Sequence, residues 1–242
     1  MKATPAQPSA RAPRRKVLPA ALPQDHRVRT GAARSEQTRR KLIESALGVF
    51  AEKGTDAALI EHFIAAAGVA RGTFYNHFRT TQELLDAVRS ELSDEIVASI
   101  DAVVLPITDP LQRMVCGCLL YMHIAVDVPN WGMFIARTGF RGEAMGRLAD
   151  KYLPRDLNLG RKSGKLHFGS ARAARDLMFG CVNQGLQSVL SGNAPKAHLR
   201  EVLALGLGGV GVSPAMADAL CAMQLPAVAL PAGFAALRRS VA

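Results

Sequence analysis

Apolar residues recur at intervals of three and four along most of the chain, the spacing of one face of an α-helix. The clearest stripe follows Ser35, and its members are Leu42, Ile43, Ala46, Leu47 and Phe50. Because Ser35 is a favourable N-cap and Gly54 a favourable stop, this stretch predicts the first helix. No stretch of the sequence shows the strict alternation of a half-buried β-strand, so the pattern predicts an all-α protein.

A long helix is predicted in the middle of the chain. Thr80 and Glu83 have the spacing of a capping box, and the apolar stripe that follows runs to about Leu105. Asp109 and Pro110 start the next helix, which is apolar on almost all sides and therefore belongs in the centre of a bundle. A loop is predicted at 155–165, and further helices at 131–138, 143–153, 170–191, 195–207 and 214–225.

A short run near residue 70 has the composition of a DNA-binding turn. The apolar stretch 59–67 suits a two-turn helix, and Gly68 can end it in the left-handed conformation that glycine adopts without steric cost. A second short helix then gives either a helix-turn-helix or an ordinary helical hairpin within a bundle. Val69, Phe74 and Phe78 are expected to pack inward. The polar residues between them then face outward, towards phosphates and base edges.

The charge distribution indicates a polyanionic partner. The 242 residues carry a formal net charge of +10, and residues 1–80 hold fourteen Lys and Arg against six Asp and Glu. The remainder is almost balanced, with sixteen against fourteen. A basic N-terminal third joined to a nearly neutral remainder is typical of a nucleic-acid-binding module fused to a second domain. A solvated basic tail is the alternative, and the adjacent helical turn favours the first interpretation.

Residues 1–33 are predicted to form a disordered basic arm. Five prolines interrupt the segment and Asp25 is its single acidic residue, so no amphipathic period survives. An Arg-rich, acid-poor N-terminus can mimic an organellar transit peptide, but the prolines argue against the amphipathic helix that such a peptide needs. No apolar run reaches the roughly 18 residues of a membrane span. We therefore expect a cytoplasmic protein without a membrane partner.

Residues 67–78 read AGVARGTFYNHF. This string closely resembles the signature of the tetracycline-repressor (TetR) family of bacterial regulators, and the resemblance extends over roughly residues 35–85. It implies three N-terminal helices that bind DNA and a C-terminal helical bundle that binds a ligand and dimerises. The expected domains are a DNA-binding domain at 34–80, a linking long helix at 81–105, and a ligand-binding and dimerisation domain at 106–242.

The resemblance also implies a recognition helix from about Ala70 to His77. Its DNA-contacting residues are expected at Arg39, Ala70, Arg71, Gly72, Thr73, Tyr75, Asn76, His77 and Thr81. The amide of Asn76 can bind the N6 and N7 atoms of adenine, and a phosphate or water contact fits it equally well.

Two positions depart from the family pattern and leave the phosphate contacts in doubt. The family usually has a lysine three residues after the conserved phenylalanine, where this chain has Thr81. The second helix usually opens with a Thr or Ser cap, and here Thr55 or Asp56 would have to cap it instead. Basic residues of the N-terminal arm are expected to compensate by lying along phosphates or in a minor groove.

The leading functional hypothesis is a transcriptional regulator, most simply a repressor that leaves an inverted-repeat operator when an apolar small molecule binds. The sign of regulation stays open. An enzyme would need a reactive group of side chains, and the best candidate is His123 with Asp127, which is more commonly a buried hydrogen bond. The sequence has no phosphate loop, nucleophile elbow or zinc spacing, so we predict no catalytic residue, metal or cofactor. A nucleoid-like DNA binder is the third alternative, and it would not need a pocket-forming second domain.

The effector site is expected among apolar and aromatic residues of the central helices. Its predicted members are Met114, Cys118, Tyr121, Met122, His123, Trp131, Phe134, Met178 and Asn183. Aromatic residues make up only 5% of the chain, so three of them in this group point to a pocket, in which His123, Asn183 or Gln184 would anchor a polar group. Plain core packing is the alternative for each of them. The four cysteines are expected as buried free thiols, with a redox sensor as the alternative.

Two helical stripes are predicted to form the interface of a homodimer. Their members are Phe179, Val182, Leu186 and Leu190 on one helix, and Leu199, Val202 and Leu203 on the next. A dimer is expected because a single head offers too few base contacts for tight operator binding. Either stripe can instead be intramolecular core.

Overall fold

The computed structural model describes residues 24–138, 149–231 and 234. Within these ranges the chain forms eleven α-helices and one π-helical segment, and no strand. The prediction of an all-α protein is confirmed. The elements are α1 Gln24–Lys53, α2 Ile60–Ala67, α3 Arg71–Tyr75, α4 Thr81–Ala87, the π segment Val88–Leu92, α5 Ser93–Val104, α6 Pro110–Asp127, α7 Pro129–Thr138, α8 Ala149–Lys162, α9 Ala171–Leu190, α10 His198–Gly209 and α11 Pro214–Cys221.

Helix α1 begins earlier than the sequence predicted. It starts at Gln24 rather than after Ser35, so residues 24–33 are helical and do not belong to a disordered arm. The stretch 24–53 contains no proline, and its many alanines and arginines favour a helix. The five prolines that predicted disorder all lie in residues 1–23, which are outside the described residues.

Residues 38–80, which we call the head, lie within the compact unit Thr38–Ala242 and have an aromatic core. The ring centre of Phe63 lies 4.8 Å from that of Phe50 and 6.5 Å from that of Phe74. Phe78, which follows α3, lies 6.1 Å from Phe74. All four side chains are fully buried. Because α2 and α3 are too short to be stable alone, this shared core is what holds them in place.

The predicted long helix forms, but a π-helical segment interrupts it. Thr80 caps α4 as predicted, since its hydroxyl accepts a hydrogen bond from the N–H of Glu83 at 3.1 Å. The chain then stays helical to Val104, with the π segment between α4 and α5. A π-helical turn accommodates one extra residue, so it rotates the downstream face of the helix by about 100°.

Helices α5 to α11 form a bundle, with α6 near its centre. Helix α6 contacts α5, α7, α8, α9, α10 and α11, which agrees with its all-round apolar sequence. Helices α9 and α10 pack closely because Gly185 has no side chain: a Cβ there would lie 2.6 Å from a methyl carbon of Val202.

Among the described residues, none of the helices is by itself long and apolar enough to cross a membrane. Helices α6 and α7 meet that criterion of length and composition only as a pair, with a bend of 111° between them.

Helix α8 contradicts the predicted loop at 155–165, because it continues to Lys162. Its inner face carries Leu157 and Asp156, both almost fully buried, while Arg161 and Lys162 are exposed. Pro154 and the polar side chain of Asp156 interrupt the apolar pattern of the sequence, so hydropathy did not predict this helix. The predicted helix start at 143–148 lies outside the described residues.

Candidate nucleic-acid interface and ligand cavity

The turn between α2 and α3 has the geometry that the sequence predicted. Gly68 ends α2 in the left-handed region, with a φ of +60° that would strain any other residue. Its N–H donates to the carbonyl of Ala65 at 3.2 Å, and the N–H of Val69 donates to that of Ile64 at 3.1 Å. Helix α3 begins at Arg71, so the two helices form a helix-turn-helix.

Helix α2 is capped differently from our expectation. Its N-cap is Leu59, whose backbone N–H donates to Nδ1 of His62 at 3.0 Å. A side chain at the third helical position therefore reaches back to the N-cap, as the glutamate of a capping box does. Thr55 instead donates to the carboxylate of Asp56 at 3.2 Å, and neither of them caps the helix.

Helix α3 and the residues around it present most of the side chains that we expected to contact DNA. Phe74 is fully buried and fixes the helix on the head. Tyr75 is 47% exposed, although its ring packs edge-on against that of Phe74. The other predicted contacts near α3 are exposed or half-buried, namely Ala70, Arg71, Gly72, Thr73, Asn76, His77 and Thr81. The result is a polar surface one helix wide, which matches the width of a DNA major groove.

Arg71 is held by an acidic residue of α2. Its Nη1 atom donates to Glu61 at 2.8 Å. Both side chains are more than half exposed, so this ion pair is weak. The guanidinium can therefore exchange Glu61 for a phosphate or a base edge.

Arg39, also predicted as a DNA contact, is paired within the protein. Its two terminal nitrogens donate to the two carboxylate oxygens of Glu91 at 2.8 and 2.5 Å. The guanidinium carbon lies 5.4 Å from the ring centre of Phe78. This position holds Arg39 against the π segment, which the sequence did not reveal.

A cavity between α5, α6, α8 and α9 is the second candidate site. It contains about 580 Å³ of empty space, part of it open to solvent. Three predicted effector contacts line it: Met114, Cys118 and Tyr121. Its remaining lining residues are Val97, Ile100, Asp101, Val104, Arg113, Gly117, Tyr152, Leu153, Arg155, Asp156, Phe179 and Val182.

The other predicted effector contacts lie elsewhere. Four of them are completely buried core residues, namely Met122, Trp131, Phe134 and Met178. Burial and the positive charges of Lys196 and Arg200 lower the pKa of His123. Within the described residues, the ring Nε2 of His123 and the side-chain oxygen of Asn183 are buried without a hydrogen-bond partner.

The structure does not support the catalytic pair that we considered as an alternative. The carboxylate of Asp127 accepts a hydrogen bond from Lys196 at 2.7 Å rather than from His123. In the described part of the chain, no group of three or more His, Cys, Asp and Glu side chains can hold a metal ion.

Two arginines and two aspartates on the cavity wall balance each other's charge. Arg113 donates to one oxygen of Asp156 through Nε at 2.9 Å and through Nη2 at 2.6 Å. Arg155 donates to Asp156 at 2.9 Å and to Asp101 at 2.9 Å. The Arg113–Asp156 pair is buried. Because every carboxylate of this group has a cationic partner, the cavity disfavours an ionised ligand.

Tyr121 and Cys118 keep their protons in this cavity. Burial, with a smaller effect of the Asp156 carboxylate, raises the pKa of Cys118 to about 12. Burial also raises the pKa of Tyr121. Within the described residues, the Tyr121 hydroxyl is buried without a hydrogen-bond partner, which costs about 1–3 kcal/mol. All four cysteines are free thiols, but only Cys116 and Cys221 are buried as predicted, whereas Cys118 and Cys181 are half-buried.

The stripes that we assigned to a dimer interface face the inside of a single chain. Val182, Leu186, Leu199 and Leu203 are at most 1% exposed, because α9 and α10 pack on each other and on α6. Phe179, Leu190 and Val202 are half-buried. These helices expose a different face, which we call the outer face and define by Leu177, Gly180, Leu205 and Gly208.

Comparison with known proteins gives matches to the head. Residues 42–88 match a family described as bacterial regulatory proteins, tetR family. The HTH-type transcriptional regulator SrpR of Pseudomonas putida is 42% identical over 61 residues, which are 25% of this chain and 29% of SrpR. The HTH-type transcriptional regulator CymR of Pseudomonas putida is 46% identical over 68 residues, 28% of this chain and 34% of CymR. The match thus spans about a third of the length of either relative.

Similarity to solved structures extends beyond the head. RolR without ligand has a TM-score of 0.67 and 26% identity, and the match covers 79% of this chain and 100% of that chain. RolR in complex with resorcinol has a TM-score of 0.57 and 24% identity, covering 82% of this chain and 100% of that chain. The bundle therefore shares the fold of RolR as well.

Proposed function

Since this chain is a member of the TetR family of bacterial transcriptional regulators, a family of DNA-binding proteins and not of enzymes, we propose that it is a ligand-released repressor. It would act as a cytoplasmic homodimer on an inverted-repeat operator. The domains would be a DNA-binding domain at 34–80, a connecting helix at 81–105 and an effector and dimerisation domain at 106–242. Basic residues before Gln24 would add phosphate contacts.

The observation that carries this proposal is the helix-turn-helix closed by Gly68, with polar side chains exposed along α3. Arg71, Tyr75 and His77 would contact phosphates or base edges, and Asn76 would read a base. Gly72 supports a close approach to DNA, because it has no side chain and, beyond its own helix, no described atom lies within 4 Å of where a Cβ would be. Thr81 would offer its hydroxyl where the family usually has a lysine, which leaves one charged contact fewer per subunit.

The cavity between α5, α6, α8 and α9 supports an effector that is small, mainly apolar and uncharged. Its paired charges disfavour an ion. The Tyr121 hydroxyl, which has no hydrogen-bond partner among the described residues, favours a ligand that carries a hydrogen-bond acceptor. Resorcinol, the ligand of the RolR complex, is an uncharged ring with hydroxyl groups and is therefore a reasonable first compound to test. Effector binding would lower operator affinity through α5, which forms one wall of the cavity and continues into α4.

A homodimer is supported by the outer face of α9 and α10. Leu205 is 79% exposed there, which is unusual for a leucine. Gly180 and Gly208 lack side chains, so helices of a second subunit could approach closely. The inward stripes that we first assigned to the interface would act indirectly, by fixing α9 against α10.

The decisive experiment is selection of duplexes by the purified protein from a random-sequence pool. We expect an inverted repeat whose two halves lie about one helical turn apart or a multiple of that. Binding to the selected and to a scrambled duplex is then compared at the same salt concentration. Equal affinities would reject the proposal and favour a non-specific, nucleoid-like DNA binder.

A further inference from the structure

Two adjacent arginines of α1 each bind a glutamate of the helix that leaves the head. Arg39 binds both oxygens of Glu91, and Arg40 likewise donates to both oxygens of Glu95, one of them at 2.7 Å. Arg40 also donates to Glu44 of its own helix at 2.7 Å. We call Arg39–Glu91 and Arg40–Glu95 the arginine pairs. Their side chains are about one-third exposed, so solvent screens them less than it screens a fully exposed pair.

The arginine pairs join the head to the wall of the cavity over a short distance. Glu95 lies on α5, and Val97, Ile100 and Asp101 of the same helix line the cavity. Asp101 lies six positions after Glu95 on the α-helix, a rise of about 9 Å. Asp101 is itself held by Arg155 of α8. Helix α5 therefore has an ion pair to the head at one end and an ion pair to α8 at the other.

The ion pairs between the head and α5 depend on whether the segment Val88–Leu92 is π-helical or α-helical. Glu91 lies inside the segment, and Glu95 follows it by less than one turn. If the segment became α-helical, the downstream helix would rotate by about 100° relative to α4. The two glutamates could then keep both arginine partners only if the head moved as well. The arginine pairs thus favour one arrangement of the head on α5.

We propose that Arg39 and Arg40 are positioning residues, which set DNA affinity by fixing the head on α5 rather than by contacting DNA. This inference rests on the proposed function as a DNA-binding regulator. It reassigns Arg39, which the sequence suggested as a direct contact. Because α5 also forms the cavity wall, the same two pairs would carry the effector signal to the head.

The test uses the duplex that the wild-type protein selects from a random pool. Glu91→Gln removes a negative charge, which by electrostatics alone would tighten DNA binding. If Arg39 acts through Glu91, Arg39→Gln and Glu91→Gln should each weaken DNA binding. The expected factor is roughly two- to fivefold, which corresponds to the loss of one partly exposed ion pair. The double variant is then no weaker than either single variant, because both remove the same contact. The slope of log affinity against log salt stays that of the wild type.

A direct phosphate contact predicts the opposite pattern. Arg39→Gln alone would weaken binding and reduce the salt slope by about one for each subunit, and Glu91→Gln would bind as tightly as the wild type or more tightly. That result would overturn the proposal for Arg39. Glu52→Gln is the matched control, because it removes a carboxylate from the exposed end of α1 without breaking either arginine pair.

A second set, Arg40→Gln and Glu95→Gln, tests the other pair independently and covers the case in which an Arg39 variant fails to fold. Circular dichroism checks that each variant is folded at the assay temperature. The two proposals fail in different ways. A wild-type protein that selects no sequence refutes the proposed function, whereas selection followed by wild-type affinity of Glu91→Gln and Glu95→Gln refutes only the role of the arginine pairs.

Discussion

The ring of Phe50 in α1 lies 6.2 Å from the ring of Phe134 in α7, centre to centre, and joins the head to the bundle. Phe50 also contacts Phe63, so buried aromatic rings run from the helix-turn-helix into the C-terminal helices. Nearby, Arg137 of α7 donates to the backbone carbonyl of Glu52 at 2.8 Å. The head and the bundle therefore share one continuous core.

This shared core predicts that the head cannot unfold separately from the bundle. Phe134→Ala removes a fully buried ring between them and should lower the free energy of unfolding by about 3–5 kcal/mol. Urea denaturation followed by circular dichroism and by Trp131 fluorescence should show one common transition with a lower midpoint. Leu159→Ala, at an exposed position of α8, should change the midpoint little. Separate transitions for the two probes in the wild-type protein would contradict a shared core.

A second prediction separates base reading from phosphate binding on α3. Asn76→Ala should relax the preference at one base position and cost about 1–3 kcal/mol on the selected duplex if its contact is bidentate. Tyr75→Phe removes only the hydroxyl, so it should weaken binding to selected and scrambled duplexes by the same factor if that hydroxyl contacts phosphate. Competition binding with single-position variants of the duplex measures both effects. An unchanged preference profile for Asn76→Ala would assign this residue to phosphate or water.

Local chemistry explains how much of the site could be predicted from the sequence. Only glycine accepts the backbone of the turn at Gly68 without strain, so the helix-turn-helix can be recognised from a few residues. The cavity could be predicted only in part, because Met114, Cys118 and Tyr121 line it while equally apolar neighbours are core. Periodicity identifies a buried face, but it does not say which helix or which void that face meets.

The features that the sequence did not reveal depend on tertiary contacts. Asp156 is polar and lies two residues after Pro154, so its segment resembled a loop, yet its pairing with Arg113 lets it be buried on α8. The π segment contains neither glycine nor proline and has no local signal. The stripes of α9 and α10 were correctly recognised as apolar faces, but their burial within one chain follows from how these two helices pack on each other.

A third prediction concerns the unpaired hydroxyl of Tyr121. Tyr121→Phe removes a buried polar atom that lacks a hydrogen-bond partner in the described residues, so the unliganded protein should become more stable by about 1 kcal/mol. The same variant should lose affinity for uncharged ligands with a hydroxyl or carbonyl group. Thermal shifts with resorcinol as the first compound measure both effects, and benzoate serves as the charged control. A lower melting temperature of unliganded Tyr121→Phe would show that the hydroxyl is already bonded in the free protein.

A fourth prediction is a pH dependence that arises from His123. Burial, Lys196 and Arg200 lower its pKa in the folded protein, so the unfolded chain, with a histidine pKa of about 6.5, binds the proton more readily. The contribution of His123 to stability should therefore be complete above pH 6.5 and decrease as the pH falls from there towards its folded pKa. His123→Gln should remove that part of the decrease below about pH 6.5, as measured by urea denaturation at each pH. Parallel profiles for variant and wild type would exclude His123 as the cause.

The last prediction concerns the outer face of α9 and α10. A Cβ added at Gly180 or Gly208 has open space around it beyond the backbone of its own helix, so Gly180→Arg and Gly208→Arg should leave the fold of one subunit intact. In a dimer that uses this face, the same side chains would keep the helices of the two subunits apart and place a charge between them. Both variants should therefore be folded monomers that bind the selected inverted repeat far more weakly.

Gly169→Arg is the matched control, because it adds the same charge at an exposed glycine outside the outer face, also with open space around it. Sedimentation velocity at micromolar concentration distinguishes the two species, and circular dichroism confirms that the variants are folded. The control should remain dimeric and bind the duplex as the wild type does. Dimeric Gly180→Arg and Gly208→Arg would move the interface away from the outer face. A wild-type protein that sediments as a monomer and binds the inverted repeat tightly as a monomer would reject the dimer, and with it the premise that one head alone offers too few base contacts.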